Sequence, residues 1–218
     1  MSAPETVQAL LADQDWGRRL QGVEQCRQLS PAAALNLLKE VVTDRNARVR
    51  YAAVSQLGNM TGLTPDQKQE LLPLLRERLY GDSEADVQAA AADALAGLGL
   101  TAAYEDLERA YRESPEWLVK FSVVAGLGVL GDARAYPLLL EALAAEIDLL
   151  KLAAIGALAD LGDVRAVAHL GELVQDPDWQ VRLRLAQALR RLDGAEAQSL
   201  LATLAQDPVA AVAQAAQG

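Results

Sequence analysis

Apolar residues return along this chain at a fixed set of positions. Counted from seven anchors, Asp13, Asp44, Asp82, Ser114, Ala145, Asp176 and Asp207, one set falls five residues on, at Val49, Val87, Val119, Leu150, Val181 and Val212, with Arg18 as the exception in the first unit. A second set falls thirteen residues on (Cys26, Leu57, Leu95, Leu127, Leu158, Leu189) and a third sixteen on (Leu29, Met60, Leu98, Leu130, Leu161, Leu192). Positions +5, +9, +13 and +16 share one face of a helix, so each anchor precedes an amphipathic helix. The anchors lie 31, 38, 32, 31, 31 and 31 residues apart. A period of that size, each unit holding one further helix before the anchor, signals a solenoid whose units bury their faces only against their neighbours. The predicted fold is therefore all-α, an α-solenoid (α-α superhelix) of about seven helical pairs, and no alternating pattern predicts a β-strand.

Punctuation places the helix ends. Trp16, Trp117 and Trp179 all fall three residues past an anchor, each directly after an acid. Ser114-Pro115-Glu116 and Asp176-Pro177-Asp178 read as N-cap, first-turn proline and dipole-favoured acid, which sets each tryptophan in the first turn of a second helix. Gly131-Asp132 and Gly162-Asp163 read as a glycine closing one helix and an acid capping the next. The long interval, Asp44 to Asp82, predicts an extended loop at Thr61-Gly62-Leu63-Thr64-Pro65, with Thr64 and Gln67 forming a capping box. Six past the anchors stand Arg50, Lys120, Lys151 and Arg182, which are expected to reach the anchor acid of a neighbouring unit and form a ladder.

Composition narrows the function. At 218 residues and 51% hydrophobic content the chain buries a sizeable core, and the repeat fills it, so residues 1–218 are read as one solenoid domain. A formal charge of −10 argues against nucleic acid and anionic membranes, which need concentrated lysine and arginine. The single cysteine, Cys26, excludes an intrachain disulfide and fits a reducing compartment. The segment MSAPETVQAL lacks a basic stretch followed by an apolar core, and no long apolar run occurs, so a cytoplasmic protein without membrane insertion is expected.

Catalytic chemistry is sparse. The one histidine, His169, builds neither a metal cluster nor a triad with a histidine partner, and no metal site is expected. Cys26 stands where other units place leucine and reads as a buried thiol. No phosphate-binding glycine loop occurs, and paired acids such as Glu105 and Asp106 read as solvated charge.

The second helices remain. With +5, +9, +13 and +16 as core, the stripe at +4, +8, +11 and +15 is expected to be the most open face. It is polar and partly basic in the second unit (Arg48, Ala52, Ser55, Asn59) and the sixth (Gln180, Arg184, Gln187, Arg191), and apolar in the fourth (Leu118, Ser122, Ala125, Val129) and fifth (Leu149, Ala153, Gly156, Asp160). An apolar floor, a rim of Trp16, Trp117 and Trp179, and the arginines Arg48, Arg184 and Arg191 suit a flat apolar ligand bearing carboxylates, or a protein helix with acidic neighbours. If the helical phase is one position off, the same apolar stripe is interhelical packing. Each tryptophan equally reads as a shield over the joint within its unit.

The frame D-x-x-x-x-V-[R/K], as in Asp44 to Arg50 (DRNARVR) and Asp176 to Arg182 (DPDWQVR), resembles HEAT repeats over nearly the whole chain. The stretches RVRYAAVSQLG (Arg48 to Gly58), DVQAAAADALAGLGLTAAYEDLE (Asp86 to Glu108) and SPEWLVKFSVVAGLGVLGD (Ser114 to Asp132) are similar to cyanobacterial phycobilisome degradation proteins, relatives of the E/F-type phycocyanobilin lyases. That resemblance implies phycobiliprotein partners (phycocyanin and allophycocyanin subunits), phycocyanobilin as ligand or substrate with no resident cofactor, and a place on the phycobilisome at the thylakoid surface under nutrient stress. It carries over no catalytic residue. Three readings are open: a groove in which arginines hold bilin propionates while Asp86 or Asp93 assists proton movement, a non-catalytic adaptor, and a scaffold for an unrelated partner.

Overall fold

A computed structural model describes residues 3–218, and among them it contains fourteen α-helices and no strand. They follow one another in the expected order of first and second helices: α1 (Ala3–Leu11) then α2 (Trp16–Gln25), α3 (Pro31–Val41) then α4 (Ala47–Gly58), α5 (Pro65–Gly81) then α6 (Ala85–Gly97), α7 (Tyr104–Glu113) then α8 (Trp117–Leu130), α9 (Tyr136–Leu143) then α10 (Asp148–Leu161), α11 (Ala166–Gly171) then α12 (Trp179–Leu189), and α13 (Ala195–Leu204) then α14 (Ala210–Gln217). The chain forms two compact units, Met1–Val123 and Val124–Gly218, whose boundary falls inside α8.

In the first unit α4 packs on both α2 and α6, so second helices stack on second helices. Its core is a row of fully buried leucines, among them Leu38, Leu57, Leu71, Leu75, Leu95 and Leu107, each stabilising by about 1.5–3 kcal/mol relative to exposure. The second unit repeats the scheme, with α12 between α10 and α14 and with Leu127, Leu138, Leu139 and Ile155 buried. Stacking is close because the facing residues are small. A Cβ on Gly58 would meet the Ala94 Cα at 2.6 Å, and one on Gly128 would meet the Ala157 Cα at 2.6 Å. Both contacts join position +14 of one repeat to position +12 of the next.

The helix starts differ from expectation by two residues. The N-caps are Asp178, whose side chain accepts from the Gln180 N–H at 2.9 Å, and likewise Asp15 and Asn46. Each tryptophan is consequently the first helical residue, and Pro177 lies outside the helix. The anchor carboxylates turn the loop instead: Asp176 accepts from the Asp178 N–H, Asp44 from the Asn46 N–H and Asp207 from the Val209 N–H. Gly131 and Gly162 sit at φ 70°, as helix-closing glycines require, and Asp132 and Asp163 cap the succeeding turns by accepting from the Arg134 and Arg165 N–H groups. The capping box of Thr64 and Gln67 is present. The extra length of that repeat, however, is held mainly by α5, a helix of 17 residues, and not by its loop.

Candidate functional site

The +6 side chains form a ladder wherever the next anchor is an acid and the cation is arginine. Arg50 donates from Nε and Nη2 to the two Asp82 carboxylate oxygens, both at 2.7 Å, and from Nη1 to the carbonyl of its own anchor Asp44 at 2.9 Å. Arg19 joins Asp44 and the Asp13 carbonyl in the same way, and Arg182 joins Asp207 and the Asp176 carbonyl. Burial would raise Asp44 and Asp82, but the guanidinium bond and a backbone N–H outweigh it, so both carboxyls lie below the usual carboxylate range. Arg19 was a rung the +6 expectation did not include. Lys120 and Lys151 are not rungs. The Lys120 ammonium rests over the Tyr111 ring at 5.6 Å, the next anchor being the uncharged Ala145, and among the described residues no ion pair joins Lys151 to Asp176. A guanidinium's planar fork grips the carboxylate bidentately while a further N–H reaches the carbonyl behind; an ammonium is a compact point charge without that fork.

Where the ladder is formed it occupies the loop side of the helix start, and the first turns carry the exposed groups. In the first unit Trp16 and Trp117 are exposed, and the Arg48 guanidinium lies over the Trp16 ring, 5.3 Å from its centroid. Beside Arg48 an open depression of about 470 Å³ is lined by Ala47, Tyr51, Glu84, Asp86 and Val87. Asp86 from the expected set thus joins Arg48. Tyr51 and Glu84 were not foreseen, although an aromatic at +7 standing 47% exposed is the kind of residue the periodicity flags once the phase is fixed.

The expected floor is different from the rim. Ser122 is buried, and its hydroxyl donates to Asp93 Oδ2 at 3.1 Å across α6 and α8. Partial desolvation raises the Asp93 carboxyl above its ordinary range, and the Ser122 hydrogen bond opposes that only in part, although the residue as a whole is exposed. Leu118 is half-buried beside them.

In the second unit Ala153 and Gly156 are also buried. Ser122 and Ala153 at +8 and Gly156 at +11 therefore belong to interhelical packing, as a phase error would produce, and correct the expected open apolar stripe at those positions, while Val129 at +15 stays exposed. Arg184 covers Gly156, its guanidinium occupying the space a Cβ would need, and donates to the Leu152 carbonyl at 3.4 Å. Arg191 is ion-paired with Asp160. Leu149 and Trp179 are exposed.

Other reactive groups offer little. Cys26 is fully buried and its thiol is pushed up to about 11. His169 is exposed, with the Tyr136 ring 6.5 Å away. Among the described residues no group of three or more His, Cys, Asp or Glu is placed to hold a metal ion, and no helix is long and apolar enough to cross a membrane.

A family model described as HEAT repeats matches residues 3–80, 72–159 and 146–218. A search of curated proteins returns no match. Among solved structures, the Escherichia coli protein YibA is 17% identical, with a TM-score of 0.65 over 97% of this chain and 79% of its own. The complex of CpcE and CpcF of phycocyanin lyase from Nostoc sp. PCC7120 is 20% identical, with a TM-score of 0.65 over 88% of this chain and 76% of that one. Kap95p, in a complex with RanGDP, is 20% identical with a TM-score of 0.63, matching 99% of this chain but 32% of its own length. At these identities the likenesses concern the fold.

Proposed function

This chain belongs to the HEAT-repeat family, and from that premise we propose that it docks a phycobiliprotein and handles its phycocyanobilin while the phycobilisome is dismantled. The observation that carries the reading is the exposed rim of first turns: Trp16, stacked by Arg48, beside the depression that holds Tyr51 and Asp86. Support comes from the likeness of Arg48 to Gly58, Asp86 to Glu108 and Ser114 to Asp132 to the phycobilisome degradation protein NblB, and from the fold shared with a phycocyanin lyase complex. A bilin is flat, largely apolar and carries two propionates. Aromatic faces and a guanidinium match it, and Arg48 is the arginine of the expected three that has no acid or carbonyl partner among the described residues. Detaching a bilin from a cysteine thioether by elimination breaks the C–S bond, removes a proton from the neighbouring carbon and returns one to sulfur. Asp93, with its raised carboxyl and Ser122 at hand, is the group suited to carry that proton. The action would take place in the cytoplasm, on phycobilisomes at the thylakoid surface.

An adaptor that binds phycobiliprotein without touching its chromophore is the second reading. It is favoured by the chemistry of the chain: the one thiol is buried, and Arg184 and Arg191 are held by Leu152 and Asp160. Mixing the protein with phycocyanin and recording the visible bilin band separates the two. Detachment predicts a shifted band and chromophore lost from the denatured subunit. Capture of phycocyanin with an unchanged spectrum selects the adaptor, and no capture refutes both. Replacing Arg48, Arg184 and Arg191 together by alanine locates the surface, since binding that survives all three lies elsewhere.

A further inference from the structure

The second helix of the fifth repeat starts unlike its neighbours. Asp15, Asn46 and Asp178 cap their helices with a side-chain oxygen, whereas α6 at Glu84 and α10 at Ile147 have no side-chain cap, and at α6 Asp82 still accepts from the Glu84 N–H at 3.1 Å. The anchor of α10 is Ala145, so there the turn-forming carboxylate is missing as well. The last repeat also has an aliphatic cap, Val209, but there Asp207 still accepts from the Val209 N–H at 2.8 Å. An aliphatic residue at an N-cap forgoes a stabilising bond, and Ile147 does not recover it by burial, being 43% exposed. Local rules broken without a gain in packing mark positions kept for another purpose.

The neighbourhood indicates what that purpose is. Leu149, two residues on, is 47% exposed, and Trp179 in the first turn of α12 is 42% exposed. The Arg184 bond to the Leu152 carbonyl and the Arg191 pair with Asp160 fix α10 and α12 side by side in parallel, offset by 31–32 residues. That register brings Leu149 next to the first turn carrying Trp179. Interleaved with the apolar side chains are Glu146 and Asp148, both exposed and, among the described residues, in no ion pair. Exposed carboxylates set among exposed apolar side chains are complementary to a helix that carries lysine or arginine beside its leucine-like face. A second copy of this chain would not suit it, because a twofold contact would set the same carboxylates against each other on a chain of charge −10.

We propose that the first turns of α10 and α12 form a docking surface for a basic amphipathic helix of a partner protein, with Ile147, Leu149 and Trp179 receiving its apolar side chains and Glu146 and Asp148 pairing with its cations. The surface shares Leu149 and Trp179 with the groove expected from the sequence, but none of Trp16, Arg48, Tyr51, Asp86 and Asp93, on which the phycobiliprotein reading rests. The test is fluorescence anisotropy with a labelled leucine–lysine amphipathic peptide at physiological salt, comparing the wild type with Ile147→Asn/Leu149→Gln. Asparagine at 147 restores a cap of the kind Asn46 makes to the Arg48 N–H at 2.9 Å, so the variant should melt about 2–4 °C higher while its peptide Kd rises roughly tenfold or more, the equivalent of about one buried apolar contact. A leucine–glutamate peptide should not bind. Leu149→Gln alone, at an exposed site, gives the same comparison with the native cap region kept. Equal affinity for wild type and variants, binding of the glutamate peptide, or a wild-type dimer that the substitutions dissociate would each overturn the proposal. Peptide binding without phycocyanin binding overturns only the earlier reading, and the converse result overturns only this one.

Discussion

Replacing Arg50 by alanine tests the ladder at its most buried rung. The Asp82 side chain has no exposed surface and that of Arg50 is 12% exposed. The substitution removes two charge-assisted bonds to Asp82 and one to the Asp44 carbonyl, leaving Asp82 with Arg78 at 3.3 Å and the Glu84 N–H at 3.1 Å. Breaking a buried pair from one side costs about 3–5 kcal/mol because the remaining charge stays desolvated. Arg78 offsets part of that, so the expected loss is about 3 kcal/mol, or a fall in Tm of roughly 6–12 °C for a chain of this length. The assay is thermal and urea unfolding followed by far-ultraviolet circular dichroism, with Arg109→Ala as the control, since Arg109 and Glu113 are 62% and 63% exposed and the Arg109 guanidinium otherwise only rests over the exposed Tyr80 ring, so its loss should shift the melt far less. The effect also has a pH signature. Asp82 is depressed in the folded state, so its contribution is complete above the unfolded carboxylate value of about 3.9 and is lost as pH falls through the lower folded value. The gap between wild type and Arg50→Ala should therefore narrow below about pH 4. A shift no larger than the Arg109 control, or a gap that does not change on acidification, would refute the assignment of Arg50 and Asp82 as a buried rung.

Three further outcomes are expected of the same structure. Gly58→Val forces α4 away from Ala94 and should cost about 1–3 kcal/mol in a urea melt, whereas Gly81→Ala, with nothing within 4 Å, should not. Cys26 should resist a thiol reagent at pH 8 until the protein unfolds, its thiol being buried and raised to about 11. Asp93 runs opposite to the ladder: its folded value is raised, so it favours folding increasingly as pH drops towards the unfolded value and opposes it near neutrality, and Asp93→Asn should raise Tm at pH 7 but not at pH 4.

How much of the molecule was legible in the sequence depends on how strongly each signal is tied to one geometry. The anchors and the leucines at +13 fix seven helical pairs because only one helical phase buries Leu57, Leu95, Leu127, Leu158 and Leu189 together. Caps were ambiguous because Asp176 and Asp178 are both acids within reach of free N–H groups, and a sequence does not say which turns the loop and which caps the helix. The ladder was legible as far as charge, but the difference between Arg182 and Lys151 depends on fork geometry. The open stripe was misplaced at Ser122 and Gly156, since the small side chains that read as an open floor are what permits helices to stack at a Cβ-excluding distance. Tyr51 and Glu84 meet in one depression only because α4 and α6 lie side by side, a relation between residues in different repeats that no local pattern encodes.

The ladder gives every rung a direction, since each arginine holds the carbonyl behind it and the carboxylate ahead. Repeats so joined resemble couplings with one plug and one socket. Excising residues 44–81 would bring Arg19 to face Asp82 as it now faces Asp44, re-forming the ion pair, whereas the same segment inserted ahead of Ser114 would present Arg50 to a residue with no carboxylate. The same excision would, however, set Arg27 at the +14 position where Gly58 now meets Ala94 with no room for a Cβ, so a matched ion pair is not enough to join two repeats and the repeats are not freely exchangeable in order.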